Sequence, residues 1–249
     1  MILETLGHRY TIVDRLDPRV RTVCAIAAAL FPLFLSDLRV LLVTLGLVLA
    51  FVLYERPDLG ALGKRMLAVN VFMATLLLLL PWSVPGETLF AVGGLTYSRE
   101  GLSQALAIVL KGNSVVLAIT ALLGTLEPVR FAHALERLKA PSKLILLYLF
   151  TVRYIAVLEE EYGQLRRAMA IRAFRPRPDL HTLRSMGYLV GMLLVRALDR
   201  SERIQKAMKC RGFAGRFHTH EHFRVGRLDG VFALGLAFVM AGLLVVNFV

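Results

Sequence analysis

Three histidines at alternate positions, His218, His220 and His222, come nearest in residue type and spacing to a metal-binding group. Neutral imidazole nitrogens suit nickel and cobalt ions, so a surface metal clip is one interpretation. A metal-binding histidine also needs a neighbouring group that fixes its ring, and the surrounding sequence does not indicate one. We therefore favour an incidental histidine-rich loop and expect no metal site.

Hydrolysis of ATP by this chain would require a phosphate-binding loop with the pattern Gly-x-x-x-x-Gly-Lys followed by Ser or Thr. The nearest match, Gly63-Lys64-Arg65, lacks the upstream glycine and the hydroxyl residue. The carboxylates and histidines also show no recognisable catalytic spacing. We therefore expect that the chain is not an enzyme and has no cofactor, and that any ATP hydrolysis occurs in a separate subunit.

The most specific pattern is an internal repeat in the second half of the chain. Residues 168–174, Ala-Met-Ala-Ile-Arg-Ala-Phe, align with residues 207–213, Ala-Met-Lys-Cys-Arg-Gly-Phe, and four of the seven positions are identical. In each copy an apolar stripe leads to an arginine, because residues spaced by three or four share one face of a helix. One arginine at a helix end is common, since it stabilises the negative end of the helix dipole. Two matched copies indicate a shared function.

The two repeat arginines, Arg172 and Arg211, are each followed by a small residue. A guanidinium makes paired hydrogen bonds with a carboxylate, and a small neighbour lets the backbone of another protein approach. Two such helix ends would fit two equivalent pockets, as in a dimeric partner. The sequence therefore predicts a protein-coupling site at Ala168, Met169, Arg172, Ala173, Ala207, Met208, Arg211 and Gly212.

Long apolar segments must position these helix ends. Hydrophobic residues make up 57% of the chain and the mean hydropathy is +0.63, which is more than a soluble core needs. Five segments approach the roughly 20 residues that cross a bilayer as a helix. They are residues 20–35, 38–54, 66–84, 102–123 and 230–249. The sequence predicts an all-α membrane protein with about five transmembrane helices.

The net charge of +12 arises from 30 Lys and Arg against 18 Asp and Glu. The basic residues fall between apolar segments and not among stacking aromatics, which argues against nucleic acid as a partner. Most lie before residue 22, between the second and third apolar segments, and in the segment 124–227. Lys and Arg beside spans stay on the cytoplasmic side, so we predict a multi-pass protein of the cytoplasmic (inner) membrane with its amino terminus inside.

The segment before the last span carries both copies of the repeat. Pro128 and Pro141 are each predicted to start a helix, and residues 175–178, Arg-Pro-Arg-Pro, break the chain before a third. Two of these helices are about 30 residues long. We predict a membrane domain of about four spans at 1–123, a cytoplasmic helical coupling domain inserted at 124–228, and a last transmembrane helix at 229–249. Two apolar stretches within the inserted domain, 144–158 and 186–198, are short for spans. We favour helices packed beneath the membrane, and the sequence leaves their insertion open.

Two groups of charged residues have interpretations that need no function. Lys111, near Asn113, lies in a predicted span, where an unpaired charge costs at least about 2.5 kcal/mol. We favour a buried pair or a backbone hydrogen bond for Lys111 over a place in a solute pathway. Glutamates 159–161, followed by Arg166 and Arg167, have the spacing of opposite charges on a solvated helix face.

Several of these segments together resemble one protein family. Leu16-Asp17-Pro18-Arg19 precedes the first span, Leu126-Glu127-Pro128 follows the fourth, and Arg153-Tyr154 lies in the first long helix. With the paired Ala-x-x-x-Arg endings, the chain resembles the transmembrane coupling component of energy-coupling factor transporters, in particular the cobalt-type branch, CbiQ.

The resemblance implies that the two arginine-bearing helices dock in grooves of two cytoplasmic ATP-binding-cassette ATPase subunits. It gives this role to Arg172 and Arg211. It also implies a separate membrane subunit that captures the solute, cobalt or nickel ion. At one helix end, Ala173 departs from the glycine that is usual in the family.

Two other functions remain as alternatives. A stand-alone ion permease would need no ATPase, but it predicts several polar ligands within the spans. Apart from Lys111, Asn70, Asn113 and a few hydroxyl groups, the predicted spans offer few. A membrane-bound transferase would need a cluster of carboxylates or histidines near the interface, and the spacing of these residues indicates none.

Overall fold

A computed structural model describes residues 12–55, 59–84, 87–92, 95–213, 215 and 226–248. Within these ranges the chain forms eight α-helices and one antiparallel pair of strands, so the predicted all-α class is confirmed apart from a hairpin. The elements are α1 (Pro18–Leu30), α2 (Leu38–Glu55), α3 (Leu59–Ser83), β1 (Thr88–Val92), β2 (Leu95–Ser98), α4 (Arg99–Leu123), α5 (Pro128–Arg137), α6 (Ser142–Ile171), α7 (Leu180–Cys210) and α8 (Arg227–Phe248).

The chain divides into two compact units. The first, here the membrane unit, comprises Met1–Ala134 with His222–Val249, and the second, here the helical unit, comprises Leu135–Glu221. The membrane unit contains α1–α4 and α8, and the helical unit contains α6 and α7. The predicted functional division at residues 123 and 228 stays a prediction.

Four helices of the membrane unit are long and apolar enough to cross a bilayer: Leu38–Glu55, Leu62–Ser83, Arg99–Leu123 and Arg227–Asn247. They correspond to four of the five predicted spans. The first predicted span is instead the 13-residue α1, followed by a 3-10 helix at Phe31–Phe34. The change of helix type coincides with Pro32, which has no backbone N–H to donate to an α-helical partner.

Large apolar side chains on these helices face outward. Phe72, Leu78 and Phe238 are 63%, 66% and 81% exposed. An apolar surface of this extent would be costly in water, whereas hydrocarbon chains cover it without loss. Together with the four apolar helices, this surface describes a multi-pass membrane protein.

Helix α4 lies at the centre of the membrane unit, and α1, α2 and α3 each pack against it. Small buried residues of α4, Ala105, Ser114 and Ala118, allow this close approach. The Ser114 hydroxyl donates to the Leu110 carbonyl within the same helix, so its polar atom is satisfied. Since three helices share α4 as a neighbour, a change on α4 affects the whole unit.

The hairpin that sequence reasoning missed lies between α3 and α4. Strands β1 and β2 pair antiparallel directly before α4 begins. Tyr97 packs edge-on against Trp82 at the end of α3, with 6.2 Å between the ring centroids. Such rings are enriched where a span meets the membrane interface.

Buried polar contacts join the start of α1 to the end of α4. The guanidinium of Arg21 donates to the Leu122 carbonyl, to Asp14 Oδ1 at 3.1 Å and to Thr125 Oγ1 at 2.6 Å. The Thr125 hydroxyl in turn donates to the same Asp14 oxygen at 2.6 Å. Arg21 is only 2% exposed, so its charge depends on these partners.

Side chains of α8 tie both of its ends to other parts of the membrane unit. Near its start, Asp229 Oδ1 accepts the Asp17 N–H at 2.8 Å, directly before α1. Near its other end, Asn247 Oδ1 accepts the backbone N–H groups of Ser36 and Asp37, each at 3.1 Å. The last helix is therefore held by hydrogen bonds at one end to the residue before α1 and at the other end to the turn before α2.

The predicted orientation can be measured with a native cysteine. Cys210 at the end of α7 is exposed, whereas Cys24 in α1 is buried. We expect a membrane-impermeant maleimide to label Cys210 in inside-out vesicles and to spare it in right-side-out vesicles. Cys210→Ser is the control for labelling elsewhere. Val249→Cys should show the opposite pattern, because the distribution of basic residues predicts that the carboxyl terminus is external. Labelling of Cys210 from the outside would reverse the predicted topology.

Candidate coupling site

The two repeated helix ends have the same backbone structure. At the end of α6, the Phe174 N–H donates to the Met169 carbonyl at 3.1 Å, and at the end of α7, the Phe213 N–H donates to the Met208 carbonyl at 3.0 Å. A second bond inside each turn, from Ala173 or Gly212 to the carbonyl three residues earlier, completes a Schellman cap. The sequence repeat is thus a repeated helix cap.

A Schellman cap explains why a small residue follows each arginine. The residue that turns the chain must adopt a left-handed conformation, and φ is 58° at Ala173 and 76° at Gly212. Glycine takes this conformation freely, whereas a side chain at Cβ disfavours it. Ala173 therefore fulfils the role of the usual glycine at an energetic cost.

Each cap leaves its arginine side chain exposed. Arg172 and Arg211 are both exposed, and in the part of the chain that the structure describes neither guanidinium has an ion pair. Ala168 and Ala207, one turn earlier, are exposed as well, while Met169 and Met208 are half-buried. The structure thus brings the eight predicted coupling residues together as two matched sets of four, one at each helix end.

Substitution of Ala173 tests directly whether a side chain at the left-handed position strains the cap. Replacing Ala173 by Gly removes the left-handed strain, and we expect the α6 cap to be stabilised by about 1 kcal/mol. The matched change, Gly212→Ala, should destabilise the α7 cap by a similar amount. Hydrogen exchange followed by mass spectrometry measures both, with roughly five-fold slower or faster exchange at the amides of each cap. Equal exchange in all variants would contradict the strain argument.

The prediction of a solvated charged face on α6 is wrong at one residue, Glu161. Glutamates 159–161 were expected on a solvated face, but Glu161 is buried and forms an ion pair with Arg200 of α7. Glu160, its neighbour, is exposed as expected. The spacing of charged residues along α6 does not predict this ion pair, because the partner of Glu161 lies on another helix.

A groove of about 690 Å³ lies between α6 and α7. Its lining includes Phe150, Tyr154, Arg200, Ile204, Met208 and Phe213. The Met208 and Phe213 positions belong to the α7 cap, so the groove reaches the end of that helix. The groove is mostly apolar, and Arg200 is one of its charged lining residues.

The polar groups inside the spans make hydrogen bonds within the protein. Lys111 Nζ donates to the Leu33 carbonyl at 3.5 Å, which confirms the expected backbone partner. Asn70 and Asn113 bond to each other through both amide groups, at 3.1 and 3.0 Å. These contacts join α4 to the chain after α1 and to α3.

No group of three potential metal ligands is found among the described residues. The histidines His218, His220 and His222 lie outside the described residues, so the structure does not test their role.

The fold and the two displayed caps define the class of protein: a multi-pass α-helical membrane protein with a separate helical unit that presents two equivalent arginine-tipped helix ends. The sequence model of the cobalt transport protein family, CbiQ, matches residues 10–221. The chain belongs to this family, and the resemblance found from its motifs is confirmed.

Curated relatives agree with the assignment. The energy-coupling factor transporter transmembrane protein EcfT of Heliobacterium modesticaldum is 28% identical over 226 residues, which cover 85% of this chain and 84% of the relative. The EcfT protein of Thermosediminibacter oceani is 22% identical over 247 residues, covering 95% and 92%. The cobalt transport protein CbiQ of Rhodobacter capsulatus is 29% identical over 125 residues, about half of each chain. These relatives are membrane components of transporters.

Proposed function

We propose that this protein is the transmembrane coupling subunit of an energy-coupling factor transporter. It links two cytoplasmic ATP-binding-cassette ATPase subunits to a separate membrane subunit that captures the solute. The observation that carries the proposal is the pair of identical caps at the ends of α6 and α7, each with an exposed arginine. Two equivalent ends suit a dimeric ATPase.

The chemistry of each cap suits docking into a protein groove. Arg172 and Arg211 supply charged donors that pair with a carboxylate or with carbonyl oxygens. The small residues at each end, such as Ala168 and Ala207, leave space for a partner backbone. The half-buried Met169 and Met208 offer flexible apolar contacts beside the charge.

Long helices suit the transmission of force from these caps. Helix α6 has 30 residues and α7 has 31, so each is roughly 45 Å long at 1.5 Å per residue. Movement of an ATPase groove would displace the whole helix because its backbone hydrogen bonds keep it stiff. We propose that ATP binding and hydrolysis act on the capture subunit through this displacement.

The solute of this proposal is cobalt ion, with nickel ion as the closest variant. The name of the matched family and that of the Rhodobacter relative support it. The intramembrane groups Lys111, Asn70 and Asn113 make hydrogen bonds within the protein, so they do not favour a stand-alone permease. We place the protein in the cytoplasmic (inner) membrane with the helical unit inside, as the distribution of basic residues indicates.

Purification from native membranes tests the function. We expect the tagged chain to bring down an ATP-binding-cassette protein and a second, small membrane protein. In vesicles, the three together should take up cobalt only when ATP is supplied on the cytoplasmic side. Uptake by the purified chain alone, without ATP, would favour the permease and refute the coupling role.

A further inference from the structure

The register that aligns the ends of α6 and α7 can be followed further back along both helices, beyond the seven matched positions. The offset of 39 residues that places Ala168 on Ala207 also places Glu161 on Arg200. Each of the two stands eleven positions before the arginine that ends its helix. These equivalent positions carry opposite charges, and they form an ion pair with each other. Two positions that are equivalent in this register therefore contact each other.

This contact lies equally far from both caps. Eleven residues of α-helix span roughly 16 Å at 1.5 Å per residue. Arg172 thus lies about 16 Å beyond Glu161 on one helix, and Arg211 lies about 16 Å beyond Arg200 on the other. A rotation of α6 against α7 about the ion pair would move both caps by equal amounts.

The surroundings make each charge depend on the other. The side chain of Glu161 is 10% exposed and that of Arg200 is 36% exposed, so solvent screens the pair only in part. Among the described residues, Glu161 Oε2 and Arg200 Nε are buried without a hydrogen-bond partner. Losing either side chain would leave an uncompensated charge between the helices.

Packing between α6 and α7 is sparse, since the two helices touch at far fewer positions than α4 touches α1, α2 or α3. The groove of about 690 Å³ opens beside the pair, with Arg200, Tyr154 and Ile204 in its lining. Interdigitated side chains would fix the angle between two helices, but on this side the helices are apart. The charged contact resists separation and sliding, and because few other residues of α6 and α7 touch, rotation about the ion pair is comparatively free.

We propose that the Glu161–Arg200 pair is the pivot between α6 and α7, and that it sets the spacing of the two arginine-bearing caps. Its consequence for transport rests on the coupling function proposed above. At a radius of about 16 Å, a change of roughly 10° in the crossing angle changes the distance between the two caps by about 3 Å, comparable to the length of a hydrogen bond. Glu161 and Arg200 are thus positioning residues, acting through the caps.

Distances between the caps test the pivot without any partner. Spin labels on native Cys210 and on Ala170→Cys, in a Cys24→Ala background, report the spacing of the two helix ends in the full chain in lipid nanodiscs. We expect Glu161→Gln and Arg200→Gln each to broaden the distance distribution and to shift it by about 3 Å or more. The charge swap, Glu161→Arg with Arg200→Glu, should restore the original distribution. Glu160→Gln is the matched control, because this exposed neighbour undergoes the same chemical change.

Transport measured on the same variants tests the consequence. In the complex with its ATPase and capture subunits, each single Gln variant should lower cobalt uptake per ATP hydrolysed about five-fold, the lower end of typical coupling between sites. The amount of ATPase retained should be unchanged, and the swap should recover uptake. A single variant that does not accumulate in the membrane cannot be assayed for uptake, and the charge-swap variant then tests the pivot. Restored accumulation together with the original distances between the caps would support the pivot.

Two results would overturn the inference: single variants with the unmodified distance distribution, or a swap that stays as broad as the single variants. A failure of the proposed function is distinguishable from both. In that case the unmodified chain would retain no ATPase, whatever the distances between its caps.

Discussion

The double variant Arg172→Ala with Arg211→Ala is expected to lose the ATPase, while each single variant keeps most of the ATPase and loses most of the transport. Truncating one member of a charged contact buried in an interface costs about 2–5 kcal/mol, which corresponds to roughly 30-fold to several-thousand-fold in affinity. With one cap still docked, the second rebinds as an intramolecular event and masks part of this loss. Removing both arginines removes that compensation.

The measurement is copurification of the ATPase together with ATP-dependent uptake, for both single variants and the double variant. The matched control is Arg166→Ala with Arg203→Ala, which removes two exposed arginines from the same two helices. Abundance in the membrane must stay constant, since the caps lie outside the candidate spans. A double variant that holds the ATPase and transports at the normal rate would exclude Arg172 and Arg211 from coupling.

Arg21→Met is expected to cause the largest loss of stability in the membrane unit, about 3 kcal/mol. The change removes the ion pair between Arg21 and Asp14 and the hydrogen bond from Arg21 to the Leu122 carbonyl. Asp14 is 25% exposed, so water partly compensates its charge, and we take the lower end of the usual range for a broken buried pair. Because Arg21 of α1 joins Asp14, which precedes α1, to Leu122 at the end of α4, the loss should affect the unit as a whole.

The buried Cys24 reports this loss. In a Cys210→Ser background, a thiol-reactive fluorophore labels Cys24 only when α1 becomes exposed on heating. The transition of Arg21→Met should occur several degrees below that of the parent. Arg39→Met is the control, because Arg39 is exposed. Addition of Asp14→Asn should cost less than the sum of the two single changes, and strict additivity would show that the pair does not stabilise the unit.

Local signals in the sequence predicted the helices well. Hydropathy located four helices of spanning length, because a bilayer requires a long apolar run whatever its neighbours are. Pro128 and Pro141 marked helix starts correctly, since α5 begins at Pro128 and α6 at Ser142. The repeat located both caps, because a Schellman turn demands particular residues at fixed positions within one helix end.

Other features were predicted poorly for a physical reason. The hairpin before α4 consists of two short strands, and short strands carry too few residues for a clear alternating pattern. The first apolar segment had nearly the length of a span, but the helix type changes around Pro32. Glu161 had the spacing of a solvated residue, and only its contact with α7 shows that it is buried.

By itself, then, the sequence determined which segments are apolar helices, where the two long helices end, and which arginines those ends display. Each of these properties depends on residues within a few turns of one another, so it leaves a periodic or positional pattern. The tertiary structure alone decided that Arg21 joins Asp14 to the end of α4, that α8 is tied to the start of α1 through Asp229, and that Glu161 meets Arg200. The Asp17 and Asp229 partners are 212 positions apart, and no local pattern specifies such a contact because it exists only when packing brings the two segments together.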